Sequence, residues 1–345
     1  MTIGPALLAA CLLVFEAACG NAPPPDNSHG KRVIVLGIDG MDPGFVSQHW
    51  ADLPNLNRMR HEGSFERLQT TTPPQSPVAW STFLTGMKPA ATGIFDFVER
   101  DPDTYLPRSS LGESVTGGFS LPIGPYLLPL THGHVHTFRK GTPFWKILDQ
   151  HGIPTTILRM PTNYPPAKTK GYALSGMGTP DLRGTFGEFS FYTDDPNRKA
   201  GTVPGGAIIR VQLADGHTVL RVQGPANPLR NDHAPTYVHV DAFVDRTEPV
   251  ARFDIGDQQL ILKQGERSRW IEVHFPLIPV IQSATGMFRI YVKQLHPLFE
   301  VYISPVNIDP ADPQLTITQP PSYSRRLAKA IGPFYTQGMP FATSA

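Results

Sequence analysis

The sequence predicts an α/β chain built on a doubly wound, mostly parallel sheet, joined to an all-β insertion or accessory domain. Three observations support this. Val33-Ile34-Val35-Leu36-Gly37-Ile38 is a continuous apolar run, the pattern of a strand covered on both faces. Helix-start and helix-stop signals then alternate with further apolar runs up to about residue 200. From about Gly201 to Ile308 the candidates become short strands separated by turn residues, several of them alternating in polarity.

Taken in order, Asp42-Pro43 opens the first helix, with Asp as N-cap and Pro in the first turn. Leu53 to His61 continues helically, and Gly63 is a stop signal. Ser64 to Thr71 reads as a returning strand. Pro77, Trp80, Phe83 and Leu84 share helical spacing, so a helix starts at Pro77 with Ser76 as its N-cap. Thr142-Pro143 opens another helix that ends at Gly152, and Thr155 to Met160 is the next buried strand. In the second part, Ile208–Leu213 and Thr218–Val222 flank the hairpin signal Asp215-Gly216. Further strands are expected at Tyr237–Phe243, Leu260–Lys263, Trp270–Phe275, Met287–Lys293 and Phe299–Ser304, and a last helix at Ser322–Ile331.

The 345 residues are about two domains' worth of chain. Apolar residues make up 40% and charged residues 17%, which suits a folded core and not a disordered chain. Thirty Lys and Arg stand against 29 Asp and Glu, a net charge of +1. With no basic field or basic run, nucleic-acid binding is excluded as an expectation. The 37 prolines favour turns and strand ends over long helices.

Both cysteines lie in the first twenty residues, so neither a disulfide scaffold nor a cysteine zinc site is expected in the body. Ile3 to Phe15 is an apolar run too short to span a membrane, and it fits the core of a secretory signal peptide over residues 1–19. Ala17-Ala18-Cys19-Gly20 resembles a bacterial lipoprotein cleavage box, with Cys19 as the lipid-bearing residue. Residues 20–30 read as a Pro-rich tether. The expected location is the periplasm or a membrane-anchored surface. The remaining divisions are 31–200 for the α/β part, 201–308 for the β-rich part and 309–345 for a return segment with a short helix.

Asp39 closes the first apolar run, at the end of a strand where ligands of open α/β sheets sit. It either binds a metal ion or caps the next helix, and Asp42 already holds the capping position. Ser76 is either a capping residue or a nucleophile. A hydroxyl at a helix start faces free N–H groups and the positive end of the dipole, which suits phosphate. In that second case the helix start from Pro77 to Ala79 would hold the phosphate oxygens. Arg159 and Asn163 follow the second strand and either contact substrate or bond within their loop. Asp232-His233 reads as a solvated turn. His132, His134 and His136 alternate and read as an exposed strand or loop, with a shared metal as the alternative.

Together, GIDGMDP, LPNLNRMRHEGSF, TTPPQSPVAWSTFLTGMKPAATGIFDF and SGMGTPDLRGTFGEFSFYT resemble the alkaline phosphatase superfamily, most closely its type I phosphodiesterase/nucleotide pyrophosphatase branch. The resemblance implies a metal-dependent hydrolase of phosphate esters with two metal ions, usually zinc. It implies that Asp39 is a metal ligand and that Ser76 is both nucleophile and metal ligand, passing through a phosphoserine. The partner would be a small phosphate ester.

The chain departs from the family pattern in three places. No Asn follows Thr92-Gly93-Ile94, Trp80 stands where a sulfatase has Arg, and no His has an Asp four residues before it. The last departure leaves the second set of metal ligands without candidates. A truncated, catalytically incomplete member of the family is therefore a second expectation. A surface lipoprotein whose β domain binds a ligand such as a glycan is a third.

Overall fold

The computed structural model describes residues 26–115, 119–130 and 134–336. The expected signal peptide, Cys19, His132 and the first part of the tether lie outside the described residues.

Helix α1 (Pro43–Gln48) begins as expected, with the Asp42 carboxylate accepting from the Phe45 N–H at 2.8 Å. Helix α2 (Pro54–Glu62) stops at Gly63. Helix α3 (Ser76–Thr85) closes on Gly86 at φ 68°, and the short α4 (Pro89–Thr92) follows. Three small hairpins come next: β1 (Val98–Arg100) with β2 (Pro107–Ser109), then β3 (Gly112–Val115), β4 (Ser120–Ile123), β5 (Tyr126–Pro129) and β6 (His134–Thr137). In these, β3 pairs with β6 and β4 with β5, all antiparallel.

Helix α5 (Phe144–Gln150) leads into β7 (Thr156–Met160), which pairs in parallel with β8 (Tyr172–Ser175). Asn27, expected in a loose tether, is tied to the end of α5. Its backbone N–H donates to Gly152 and its Nδ2 to the His151 carbonyl, both at 2.9 Å.

The largest body is β. Strands β9 (Phe189–Thr193), β10 (Gly201–Val203) and β11 (Gly206–Arg210) are followed by β12 (His217–Ala226), β13 (Pro235–Val244), β14 (Val250–Ile255) and β15 (Gln258–Lys263). Then come β16 (Ile271–Ile278), β17 (Gln282–Phe288), β18 (Ile290–Gln294), β19 (Glu300–Ile303) and β20 (Asn307–Ile308). Strands β12 to β15 form a meander, β16, β17 and β20 a second sheet, and β10-β11-β9-β19-β18 a third. On β16, Ile271, Val273, Phe275 and Leu277 are buried while the residues between them face out, the period of two that a half-buried strand requires. Leu220, Val240, Phe253, Phe275, Phe288 and Phe299 lie in one core shared by these sheets. Each such side chain contributes about 1.5–3 kcal/mol by burial. Strand β21 (Thr318–Gln319) returns to pair with β8, and α6 (Tyr323–Ile331) follows it.

Several expectations are corrected. Val33 to Ile38 forms no strand, with Val33 86% and Ile34 93% exposed. A parallel strand needs a neighbour on each edge and cover on both faces. Here the Trp80 ring of α3 lies against Gly37, and no strand pairs with the run among the described residues. Ser64 to Thr71 likewise forms no strand and pairs with none among the described residues.

The doubly wound, mostly parallel sheet is therefore not formed by the described residues. Their parallel pairings are β7 with β8 and β9 with β11. The α/β core is correspondingly small, built on Leu84, Trp145, Ile157 and Ala173. The β body also begins before residue 201, because β9 sits between β11 and β19.

Asp215 and Gly216 do make a turn with positive φ at both residues, 51° and 78°. It closes a single bridge, Ala214 to His217, because β11 pairs with β9 and β10 while β12 pairs with β13. The run Met287–Lys293 splits at Arg289 into β17 and β18, which belong to different sheets. Strand β14 was not anticipated, although Ala251, Phe253 and Ile255 alternate in burial along it.

Candidate functional site

The chain reverses directly after Asp39, where Gly40 adopts φ 67°, a conformation that glycine enters without steric cost. Because Asp42 caps α1, the Asp39 carboxylate is left free of that role. It is exposed and faces the start of α3. Ser76 Oγ donates to Asp39 Oδ1 and Oδ2 at 3.1 and 3.2 Å. Trp80 Nε1 donates to Oδ1 at 3.2 Å. Ser76 and Trp80 are four residues apart on one helix, so they share a face one turn apart. The fold thus joins Asp39 to a serine 37 residues further on.

Ser76 is not the N-cap. That position is Gln75, and Ser76 is the first residue of α3. Its hydroxyl is spent on a carboxylate, not on the helix end. The helix start offers little to an anion. Pro77 is buried and has no N–H, and the Val78 and Ala79 N–H groups both donate to the Gln75 carbonyl, at 3.0 and 2.9 Å. The expected cradle from Pro77 to Ala79 is therefore already hydrogen-bonded within the helix.

Trp80 was read from sequence as part of the helical spacing of this segment and as a residue that argues against a sulfatase, not as a partner of Asp39. The signal for its actual place was its spacing of four from Ser76. Arg159 is exposed at φ 54°, with its guanidinium 5.2 Å from the ring centre of Tyr335. Asn163 is 2% exposed. Its Oδ1 accepts from the Ala167 N–H at 3.2 Å and its carbonyl from Ser175 Oγ at 3.0 Å, while Nδ2 has no partner among the described residues. No hydrogen bond joins Arg159 or Asn163 to the Asp39–Ser76 pair among the described residues.

Asp232 sits in a tight turn. Arg230 holds its carboxylate from two nitrogens at 2.7 and 2.8 Å, and the Ala234 N–H adds a third bond at 3.1 Å. The guanidinium pushes the Asp232 carboxyl well below the usual carboxylate range, and His233 stands at φ 47°. This is a self-contained turn. His136 is exposed on β6 opposite Glu113.

A catalytic zinc site takes three protein ligands. Asp39 and Ser76 bring oxygen donors from two residues, and one Asp39 oxygen already receives the indole N–H. No group of three or more His, Cys, Asp or Glu able to hold a metal occurs among the described residues. This donor set does not fit a zinc pair.

The described site is thus a serine hydroxyl and an indole N–H on one helix face, both donating to an exposed carboxylate. The model of the type I phosphodiesterase / nucleotide pyrophosphatase family matches residues 33–246, more than half of the chain and the whole span from the first apolar run to just past β13. The chain belongs to that family, in keeping with the alkaline phosphatase superfamily and its α/β fold. Comparison with curated proteins and with solved structures gave no match. Among the described residues, no helix is long and apolar enough to cross a membrane.

Proposed function

We propose that this chain is a phosphoester hydrolase in which Ser76 is the nucleophile and Asp39 its proton acceptor. The bond from Ser76 Oγ to both Asp39 oxygens is the observation that favours this reading most. Asp39 takes the hydroxyl proton as the serine oxygen attacks phosphorus in line. The bond from phosphorus to the leaving oxygen breaks on the opposite face, where that oxygen takes a proton from water and leaves hydroxide behind, while Asp39 keeps the serine proton. Hydroxide then attacks the phosphoserine from that face, the bond from phosphorus to Ser76 Oγ breaks, and Asp39 returns its proton to Oγ, which frees phosphate and restores both groups.

The family is generally metal-dependent, and the steps above use only groups that this chain presents. The donor count favours a second reading, that the chain is catalytically incomplete by itself. The absence of free N–H groups at Val78 and Ala79 points the same way. Export and a lipid on Cys19 remain part of the proposal, and the mass of the mature N-terminus tests them.

Hydrolysis of aryl phosphate mono- and diesters by the purified protein, with and without added zinc, is the test. Under the first reading Ser76→Ala lowers turnover at least about a hundredfold. Activity that survives this substitution overturns it. Under the second reading neither protein turns over, and two tightly bound zinc ions per chain would overturn that one.

A further inference from the structure

Arg159 does not sit in the regular ladder of β7. The register against β8 shifts between Leu158 and Met160, so Arg159 is the extra residue of a bulge, at φ 54°. A bulge re-aims the side chain it carries. Here the guanidinium lies 5.2 Å from the ring centre of Tyr335, which follows α6. The Tyr335 ring is 5.9 Å from that of Trp270, and the Arg289 guanidinium stacks on Trp270 at 4.4 Å. Arg289 stands at the break between β17 and β18. Beside it, the Ser268 N–H donates to the Ile290 carbonyl at 2.8 Å and the Ile290 N–H to Ser268 Oγ at 2.9 Å. Arg267 forms a bridge to Tyr291. Four separate segments thus bring three guanidiniums and two rings together.

This cluster has no counter-charge. None of the three arginines makes an ion pair or a side-chain hydrogen bond among the described residues. The acids adjoining it in sequence are engaged elsewhere. Glu266 accepts from the Lys263 N–H at 2.9 Å, and Glu272 lies 3.7 Å from His274 Nε2. Arg198 on Phe191 and Arg252 on Phe243 stack in the same way, but each also has a carboxylate, Glu300 at 3.1 Å and Asp254 at 3.3 Å. Burial and the nearby Arg267 charge push the Arg289 guanidinium below its ordinary value. Stacking on a ring face holds a guanidinium in place while leaving its N–H edge open to an anion.

We infer that Arg289 and Arg267 form a binding site for a phosphate group, with Arg159, held on Tyr335, adding a third positive charge. Guanidinium forks match phosphate oxygens bidentately. A phosphate group also brings about two charges and three acceptor oxygens, more than a carboxylate can offer to several arginines. None of these residues bonds to Asp39 or Ser76, whose partners are each other and Trp80, so the inference stands apart from the proposed chemistry.

Calorimetric titration of the full chain with inorganic phosphate at low ionic strength is the test, with acetate and phenyl phosphate as companion probes. Phosphate binds saturably, and acetate at the same concentration does not displace it. Arg289→Gln weakens phosphate about tenfold or more, the worth of one hydrogen bond to a charged group, and Arg267→Gln weakens it as well. Arg252→Gln removes the same charge from a paired site and leaves the affinity unchanged. Ser76→Ala binds phosphate as the parent does, so failure of the proposed nucleophile is read separately. Competition by phenyl phosphate assigns the site to the head of a monoester, and binding of inorganic phosphate alone assigns it to the free ion. Both outcomes support the site. Non-saturable binding, displacement by acetate, equal weakening in Arg252→Gln, or loss of binding in Ser76→Ala overturns the inference. Where Arg289→Gln does not fold, the exposed Arg267 decides, and undiminished binding in Arg267→Gln overturns it.

Discussion

Trp80 and Ser76 donate to one carboxylate from successive turns of α3, so the indole N–H holds Asp39 where the hydroxyl can reach it. Trp80→Phe keeps a ring near Phe83, whose centre lies 5.7 Å from that of Trp80, and removes the donor together with the outer ring atoms that lie against Gly37. Under the proposed function it lowers kcat about fivefold, the worth of one exposed hydrogen bond, with KM unchanged. Steady-state kinetics on the two proteins check this. Tyr164 offers a pH test. Burial pushes its phenol from 10.0 up to about 12. Below pH 10 both folded and unfolded chains keep the proton. Between 10 and 12 the unfolded chain releases it while the folded chain holds it, so stability falls as pH rises through that window. Denaturant midpoints should decline over this range, and less steeply in Tyr164→Phe.

At the level of elements, close approach explains what composition could not. Gly224 sits at the irregularity near the end of β12, where the register shifts between Gln223 and Ala226. A Cβ there would run into the ring of Phe275 on β16, which is fully buried. Asn227 then fastens the same end of β12 to β16 by donating to the Leu277 carbonyl at 2.7 Å. Gly224→Ala should cost about 1–3 kcal/mol through overpacking, read from urea unfolding. The helices were legible from local signals. Asp42-Pro43, Gly63 and the Ser322–Ile331 pattern act within one or two turns, and the structure keeps each of them. Strand partners were not legible in this way. The Asp215-Gly216 turn has the right backbone angles, yet its flanking strands pair elsewhere, because a ladder is decided by every neighbour on both edges.

Across the whole molecule, stability is unevenly shared. The β body holds the large core, while the α/β part rests on Leu84, Trp145, Ile157, Ala173 and a few half-buried neighbours. Lys31, Arg32 and Arg67 lie in exposed segments outside any helix or strand. Brief trypsin treatment should therefore cut first at these three, leaving residues 189–308 intact by mass spectrometry. The sequence alone determined the family and most of the helix boundaries, the cap of α3 excepted, and it singled out Asp39 and Ser76, which the fold brings together. Each of these is set by a short run of neighbouring residues. Tertiary structure decided that Val33–Ile38 lies open, that β9 joins the β sheets, and that Pro77 to Ala79 present no free N–H to an anion. It also placed Trp80 on Asp39 and stacked Arg159 and Arg289 on the neighbouring rings of Tyr335 and Trp270. These outcomes depend on which distant segments meet, and pairing, burial and hydrogen-bond satisfaction are properties of both partners, so no local pattern fixes them.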